Sequence, residues 1–335
     1  MAFTSIVKDI NGQSIIDCMR DGEVYTRQAL AEKNGLSFPT VSKLVEELVQ
    51  RKILISMGID SESRGGRKAS LYKMDADYAH VLVMYLQGNK IYVQHCDALG
   101  AEIPGSEAMY TRTKDLFPLA FLEQSILEEL EKDDKIRVVM LGVPGSVKDG
   151  RIYCMDGQEG LEGQDLETIL SLQTDIPVCV RNNMSILAEG MAKQTSEVKA
   201  YLHLADTGPG VGVVVNGMAL QGFSGFQGEV GFMPLYGEQN LQEIALGGFQ
   251  DVKPGQYLGK LIACICTMLN PEEIVCYIEK DWPEIKEQTL YYCRRYLPEY
   301  ALPKLIFDRD YRKDYIEGLR TVGTECLFRK MNAGE

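Results

Sequence analysis

The sequence has no CxxC pair, and its 335 residues include only three histidines, at 80, 95 and 203. A tetrahedral metal centre has little to draw on, and each isolated histidine fits a satisfied core or surface position better than a ligand. The cysteines, at 18, 96, 154, 179, 264, 266, 276, 293 and 326, are odd in number and scattered. That fits reduced thiols rather than a disulfide framework. Cys264 and Cys266 lie in an apolar helical stretch, where residues two apart diverge, so they are expected as structural thiols. No apolar run approaches the roughly 20 residues that span a bilayer, so a transmembrane helix is excluded and no membrane partner is expected. The opening MAFTSIVKDINGQ lacks a basic stretch followed by an apolar core, so no signal peptide and a cytoplasmic location are expected. Neither GxxxxGK[ST] nor GxGxxG occurs, which excludes a P-loop and a Rossmann fingerprint. No Ser-His-Asp arrangement presents itself.

What is there is globular in composition, 45% hydrophobic and 25% charged, in a length suited to two or three domains. The net charge of −13 argues against nucleic acid over the whole surface. Residues 1–80, however, balance 11 basic against 11 acidic side chains, and the remaining 24 basic and 37 acidic residues supply the entire excess. A neutral head on an acidic body hints at two tasks.

Within that head, Val41, Leu44, Val45, Leu48 and Val49 form one stripe of an amphipathic helix over 38–50. Ser37 is a good N-cap, and Pro39 sits in the first turn, where its missing N–H costs nothing. A shorter helix over 26–33 precedes it, stopped by Asn34-Gly35, a pair suited to positive φ. The two helices and the tight turn between them have helix-turn-helix spacing. A strand at 53–57, a tip containing Arg64, Gly65, Gly66, Arg67 and Lys68, and a returning strand at 69–74 predict a β-wing. The exposed start of the second helix, with Ser37, Pro39, Thr40, Ser42 and Lys43, is short, polar and basic, as a major-groove reader requires. Arg64, Arg67 and Lys68 are expected to track phosphates or enter a narrow minor groove. The plainer alternative is a helical hairpin followed by a solvated loop.

From residue 77 onward, strand-like and helical runs alternate. Strands are expected at 81–86, 91–96, 107–110, 136–141, 177–180, 201–205 and 212–216, with helices at 117–132 and 183–193. This predicts an α/β protein of two successive sheet-based lobes with a cleft between them as the ligand site. Asp206 to Gly212 is a glycine-rich segment that either lets backbone amides approach an anion or forms a tight hairpin.

Taken in order, GLSFPTVSKLVEEL, the GGRK wing, GVPG at 142–145, VRNN at 180–183, the glycine segment with VVVNG, GEVGFMPL at 228–235 and LNPEEIV at 269–275 resemble the ROK family of repressors, open reading frames and sugar kinases. The likeness is to its repressor branch with an N-terminal winged helix. It implies an actin-like, hexokinase-like two-lobed fold, assembled as a dimer or tetramer, in which a sugar or sugar derivative in the cleft shifts the head. The implied divisions are a winged helix-turn-helix over 1–76, a first lobe over 77–196 joined by a C-terminal helix over 312–335, and a second lobe over 197–311.

The sequence departs from the kinase branch at each chemical position. Tyr85-Leu86-Gln87-Gly88-Asn89 stands where an acidic, double-glycine ATP loop is expected. Asn182-Asn183 replaces an Asn-Asp pair, and an amide cannot accept the proton of an attacking hydroxyl. Phe232 replaces the zinc-binding histidine, and the cysteine cluster that should follow is absent. The resemblance therefore implies no catalytic residue, no metal and no cofactor. The loop after Phe232 is expected to be held by apolar packing. By the same resemblance Gly145, Asn182, Asn183 and Glu229 line the cleft, with Glu243 as a second sugar-contacting acid, around either a neutral polar ligand or a vestigial pocket. The expected function is a DNA-binding regulator on a double-stranded operator, and the alternative is an ATP-dependent sugar kinase with an accessory head.

Overall fold

The structure, a computed structural model, describes residues 2–59, 69–113, 118–154, 160–192 and 197–332; for 2–9, 154 and 330–332 it describes the backbone alone. The chain begins with α1 (Ala2–Met19), β1 (Tyr25–Thr26), α2 (Arg27–Asn34), α3 (Phe38–Gln50), β2 (Leu54–Ile59) and β3 (Ser70–Met74). Local chemistry sets these bounds. Thr26 caps α2 by accepting from the Ala29 amide at 3.1 Å. Gly35 ends the helix with φ 64°, and its amide and that of Leu36 donate to the Glu32 and Ala31 carbonyls. Ser37 then caps α3, accepting from the Thr40 amide at 3.4 Å.

The predicted stripe faces inward. Val41, Leu44, Val45 and Leu48 are buried with Leu30, Ile53, Leu54 and Met74. Each such burial stabilises by roughly 1.5–3 kcal/mol before entropic costs. Helix α1, whose sequence carries no regular apolar stripe, completes this core with Ile15, Ile16 and Met19. Strands β1, β3 and β2 form a small antiparallel sheet, bulged between Ser56 and Gly58.

The rest of the chain builds two five-stranded sheets. The first uses β4 (His80–Gln87), β5 (Lys90–Cys96), β6 (Ala108–Thr111), β7 (Ile136–Val143) and, after the small hairpin β8 (Ser146–Lys148) and β9 (Arg151–Cys154), β10 (Val178–Asn182). Its order is β10-β7-β4-β5-β6, parallel across β10, β7 and β4 and antiparallel beyond. Helices α4 (Pro118–Lys132), α5 (Leu166–Thr174) and α6 (Asn183–Ala192) belong to this part.

The second sheet repeats the plan with β11 (Lys199–Ala205), β12 (Gly208–Val215), β13 (Met218–Ala219), β14 (Glu273–Ile278) and β15 (Lys304–Ile306), in the order β13-β12-β11-β14-β15. Here β11, β14 and β15 are parallel, and the hairpin strands are antiparallel. Helices α7 (Leu241–Leu246), α8 (Pro254–Leu269) and α9 (Ile285–Tyr296) accompany it. Both sheets have strands buried nearly end to end, as coverage on both faces requires. Among the described residues no helix is long and apolar enough to cross a membrane.

The last helix, α10 (Tyr311–Asn332), ties the parts together. Its start contacts the second sheet, where Asp314 accepts from the Tyr277 hydroxyl at 2.7 Å. Its middle packs on α6, where a Cβ on Gly190 would lie 2.3 Å from the Gly318 Cα. Near its end, Thr324 accepts from the Arg20 guanidinium at 3.3 Å, and Phe328 lies beneath it at 5.4 Å.

The histidines are satisfied, as expected. Both ring nitrogens of His80 and of His95 meet carboxylate oxygens of Asp77, Glu129 and Asp133 at 2.7–3.1 Å. This cluster fastens the start of β4 and the end of β5 to α4. The run 308–310 is an exposed loop, from which Arg309 reaches Asp314 at 2.6 Å.

Candidate functional site

Two surfaces carry the residues singled out by the sequence. The first is the outer face of α3. Ser37, Pro39 and Lys43 are exposed, and Thr40 and Ser42 are half-buried. The Ser37 and Thr40 hydroxyls lie 2.8 Å apart, so the first turn is internally braced. Further along, Glu46 pairs with Arg27 of α2 at 3.4 Å, and that guanidinium also covers the Tyr72 ring at 5.1 Å. The acidic end of α3 is thus partly neutralised, while Lys43 stays exposed. Arg64, Arg67 and Lys68 lie outside the described residues.

The second is the space between the two sheets, a cavity of about 350 Å³. Gly145, Asn182, Asn183 and Glu229, predicted from four separate stretches, all line it. Asn182 ends β10 with both amide atoms engaged: its Nδ2 donates to the Gly145 carbonyl at 2.7 Å, and its Oδ1 accepts from the Ser185 amide at 3.0 Å. One side chain therefore fixes the 142–145 turn and starts α6. Asn183 accepts from the Met184 amide and donates to the Tyr311 hydroxyl at 3.4 Å. Gly228, beside Glu229, has φ 89°, and a Cβ there would lie 1.9 Å from the Val211 carbonyl oxygen, so only glycine fits.

Glu243 is not brought into this cavity. It is exposed, and its carboxylate accepts from the Asn240 amide at 2.9 Å in a capping box at the start of α7. Gln242 lines the cavity in its place. The glycine segment also differs from a loop. The turn is Asp206-Thr207 alone, and Gly208, Gly210 and Gly212 belong to β12. A Cβ on Gly212 would lie 2.4 Å from the Met184 carbonyl oxygen, and one on Gly210 3.0 Å from the Met184 side chain. These two glycines let α6 approach the sheet.

Aromatic rings unforeseen from the sequence fill much of the cleft. His203 stacks on Tyr311 at 4.0 Å and 12°, Tyr311 stacks on Tyr315 at 5.5 Å, and Tyr315 meets Tyr85 edge-on at 5.3 Å. Burial pushes the Tyr311 and Tyr315 phenols well above their ordinary range. Glu279 bonds His203 at 3.0 Å, which holds its carboxyl below the usual value. The charged side chains lining the cavity are Asp206, Glu229 and Glu279, with no lysine or arginine among the described ones. Beyond Phe232, Met233, Leu235 and Tyr236 pack on the second-sheet core, and Lys260 lies 3.9 Å above the Tyr236 ring. Apolar packing does hold that loop.

Residues 110–250 match the model of the ROK family. The chain carries a ROK family domain. Over 243 residues it is 23% identical to a xylose repressor of Caldicellulosiruptor bescii, covering 68% of this chain and 59% of that protein. Over 253 residues it is 22% identical to a xylose repressor of Bacillus subtilis, covering 70% and 63%. The chain therefore spans about three fifths of the length of these curated relatives. Around the ROK domain the fold is shared with a solved ROK family transcriptional regulator, described as a homologue of the E. coli Mlc protein. That match has a TM-score of 0.77 and 17% identity over 98% of each chain. A ROK hexokinase from Thermus thermophilus aligns with a TM-score of 0.60 and 21% identity, over 76% of this chain and 100% of that one. The two-sheet body thus has the actin-like, hexokinase-like architecture expected. The aromatic lining was missed because its members lie up to 230 residues apart. Only the i, i+4 spacing of Tyr311 and Tyr315 could have hinted at a shared face.

Proposed function

We propose that this chain is a DNA-binding transcriptional regulator, a repressor acting in the cytoplasm as a homodimer, with an unphosphorylated sugar as effector in the cleft. The observation that carries the reading is the outer face of α3. Its first turn is capped, braced and exposed, its opposite face is wholly committed to the core, and a β-hairpin follows at once. A helix so presented suits a major groove, with Thr40, Ser42 and Lys43 toward base edges and Ser37 and Pro39 at the phosphates. Arg64, Arg67 and Lys68 are assigned to the adjacent backbone or minor groove. The xylose repressors among its relatives support the same reading.

The cleft supports the choice of effector. A phosphate would meet Asp206, Glu229 and Glu279 and no cation among the described lining residues, whereas a polyol can bond these acids and stack on the tyrosine faces. Gly145, Asn182, Asn183 and Glu229 are its proposed contacts. Xylose, named in the relatives, is the first probe.

A gel-shift titration on the upstream DNA of the chain's own gene tests the reading. Sequence-selective binding should fall steeply with salt, because the head releases counterions from phosphates. Lys43→Ala and Arg67→Ala should each weaken it. Wild-type affinity in both variants, or no selective complex at low salt, would overturn the proposal.

The kinase reading draws on the shared hexokinase fold. Against it, Asn183 cannot serve as a base, and its Oδ1 already accepts from the Met184 amide. A coupled ADP-release assay across common hexoses separates the two, and turnover would favour the kinase.

A further inference from the structure

A second cavity, of about 450 Å³, shares Asn182 with the cleft but has a different character. Its volume falls within the roughly 300–1,000 Å³ typical of ligand sites. The segment 221–227, leading out of the second sheet, closes over it and is clamped to β8. Ser146 donates to the Gly225 carbonyl at 2.9 Å, and a Cβ on Gly225 would lie 2.3 Å from the Val147 carbonyl oxygen. Arg181 of β10, Glu189 of α6 and Arg329 of α10 supply other walls.

The chamber holds three cations, Lys148, Arg181 and Arg329, where the cleft cavity has none among its described lining residues. Among the described residues Arg181 makes its protein bonds through Nη1, to the Val180 carbonyl at 2.8 Å and to Glu167 at 3.5 Å. Its Nε and Nη2 donors remain for a ligand or solvent. Lys148 donates to the Phe223 carbonyl and lies under that ring, so it braces the roof. The acids are less opposed to an anion than their number suggests. Glu167 is paired with Arg181. Asp149 is exposed in a turn. Glu189 bonds Gln221 at 2.9 Å, and burial pushes its carboxyl up, toward the neutral form that can donate to a hydroxyl.

We propose that this chamber is a second ligand site for a polyol of sugar size carrying one anionic group, carboxylate or phosphate. The anion lies between Arg181 and Arg329, and the hydroxyls meet Gln221, Ser185 and Glu189. The site goes beyond the reading of the cleft, which takes the neutral sugar. Arg329 is also the residue after Phe328, which underlies Arg20 of the head, so an anion drawn to it acts on the helix end that seats the head.

Calorimetric titration of the full chain tests the site with glucose 6-phosphate, glucuronate, glucose and inorganic phosphate as probes. At least one anionic sugar should bind, and which one does identifies the anion. Inorganic phosphate should bind at least tenfold more weakly, and glucose should not displace the anionic sugar. Arg329→Gln, at an exposed position, should weaken binding tenfold or more with an unchanged melting temperature, and Gln221→Ala should weaken it severalfold. Arg181→Lys should lose binding as well, but the two milder variants decide the matter if it folds poorly. Neither anionic sugar binding, equal binding by both milder variants and wild type, or phosphate alone binding as tightly would each overturn the proposal.

Discussion

The cleft cavity and the chamber beneath residues 221–227 meet at Asn182, yet they are lined by different charge. The cleft gathers acids and tyrosine rings from both sheets and the start of α10; the chamber sets Lys148, Arg181 and Arg329 against Asp149, Glu167 and Glu189, with amides and a hydroxyl beside them. The chain's net charge of −13 predicts neither. What a ligand meets is set by the few groups within a Debye length that are screened least, and these differ across the side chain of a single asparagine. The difference is what the two proposed sites rest on, the neutral ligand assigned to one side and the anionic to the other.

The sharpest way to break that division is to jam one cavity at a time. Gly228→Ala places a methyl against the Val211 carbonyl on the cleft side, and Gly225→Ala does the same against Val147 at the chamber roof. Each forces an L-residue to positive φ and overpacks, which should cost about 2–5 kcal/mol in urea unfolding. The first should abolish neutral-sugar binding and spare the anionic sugar, and the second the reverse. Loss of both ligands in both variants would show that the cavities are not separable.

Asn182→Ala should come next in effect, at about 1–3 kcal/mol, because it leaves the Gly145 carbonyl and Ser185 amide without their partner. Unlike the glycine variants it should weaken both ligands together. Sparing either one in titration would place that ligand away from the shared wall.

The smallest expected effect is on pH dependence. Burial alone would raise Glu129, but bonds from His95, Lys132 and Tyr110 outweigh it and hold the carboxyl at about 2. The folded state favours its ionised form, so its contribution is complete above 4.5 and lost as pH falls toward about 2. Glu189 is shifted the other way by burial, so its contribution is greatest below 4.5 and lost as pH rises through its elevated value. Melting temperature followed across pH should show Glu129→Gln flattening the acid limb and Glu189→Gln flattening the opposite slope. Curves unchanged from wild type would mean that neither carboxyl is perturbed.

The head was legible residue by residue because its signals are local. The stripe of α3, the Ser37 cap and the Gly35 stop each act within one or two turns, and each sits where expected. Helix α1 was not legible. Gly12 and polar residues interrupt its pattern, and Ile15, Ile16 and Met19 find a core only once α2 and α3 are folded. In the cleft, Gly145, Asn182, Asn183 and Glu229 converge as the motif order implied. Glu243 does not, because the capping box claims its carboxylate and turns Gln242 inward instead. The tyrosines could not be seen at all. Tyr85 and Tyr315 meet only through the pairing of β4 with β7 and the packing of α10 on both, a long-range result that no window of sequence contains.

Between Tyr311, walled into the cleft, and Phe328, beneath Arg20, α10 runs as one uninterrupted rod of roughly 25 Å at 1.5 Å per residue. It has no proline along that length. Where it crosses α6, Gly190 faces Gly318, so the two backbones approach directly. The helix that walls the cleft at one end is therefore the same one that anchors Arg20 at the other.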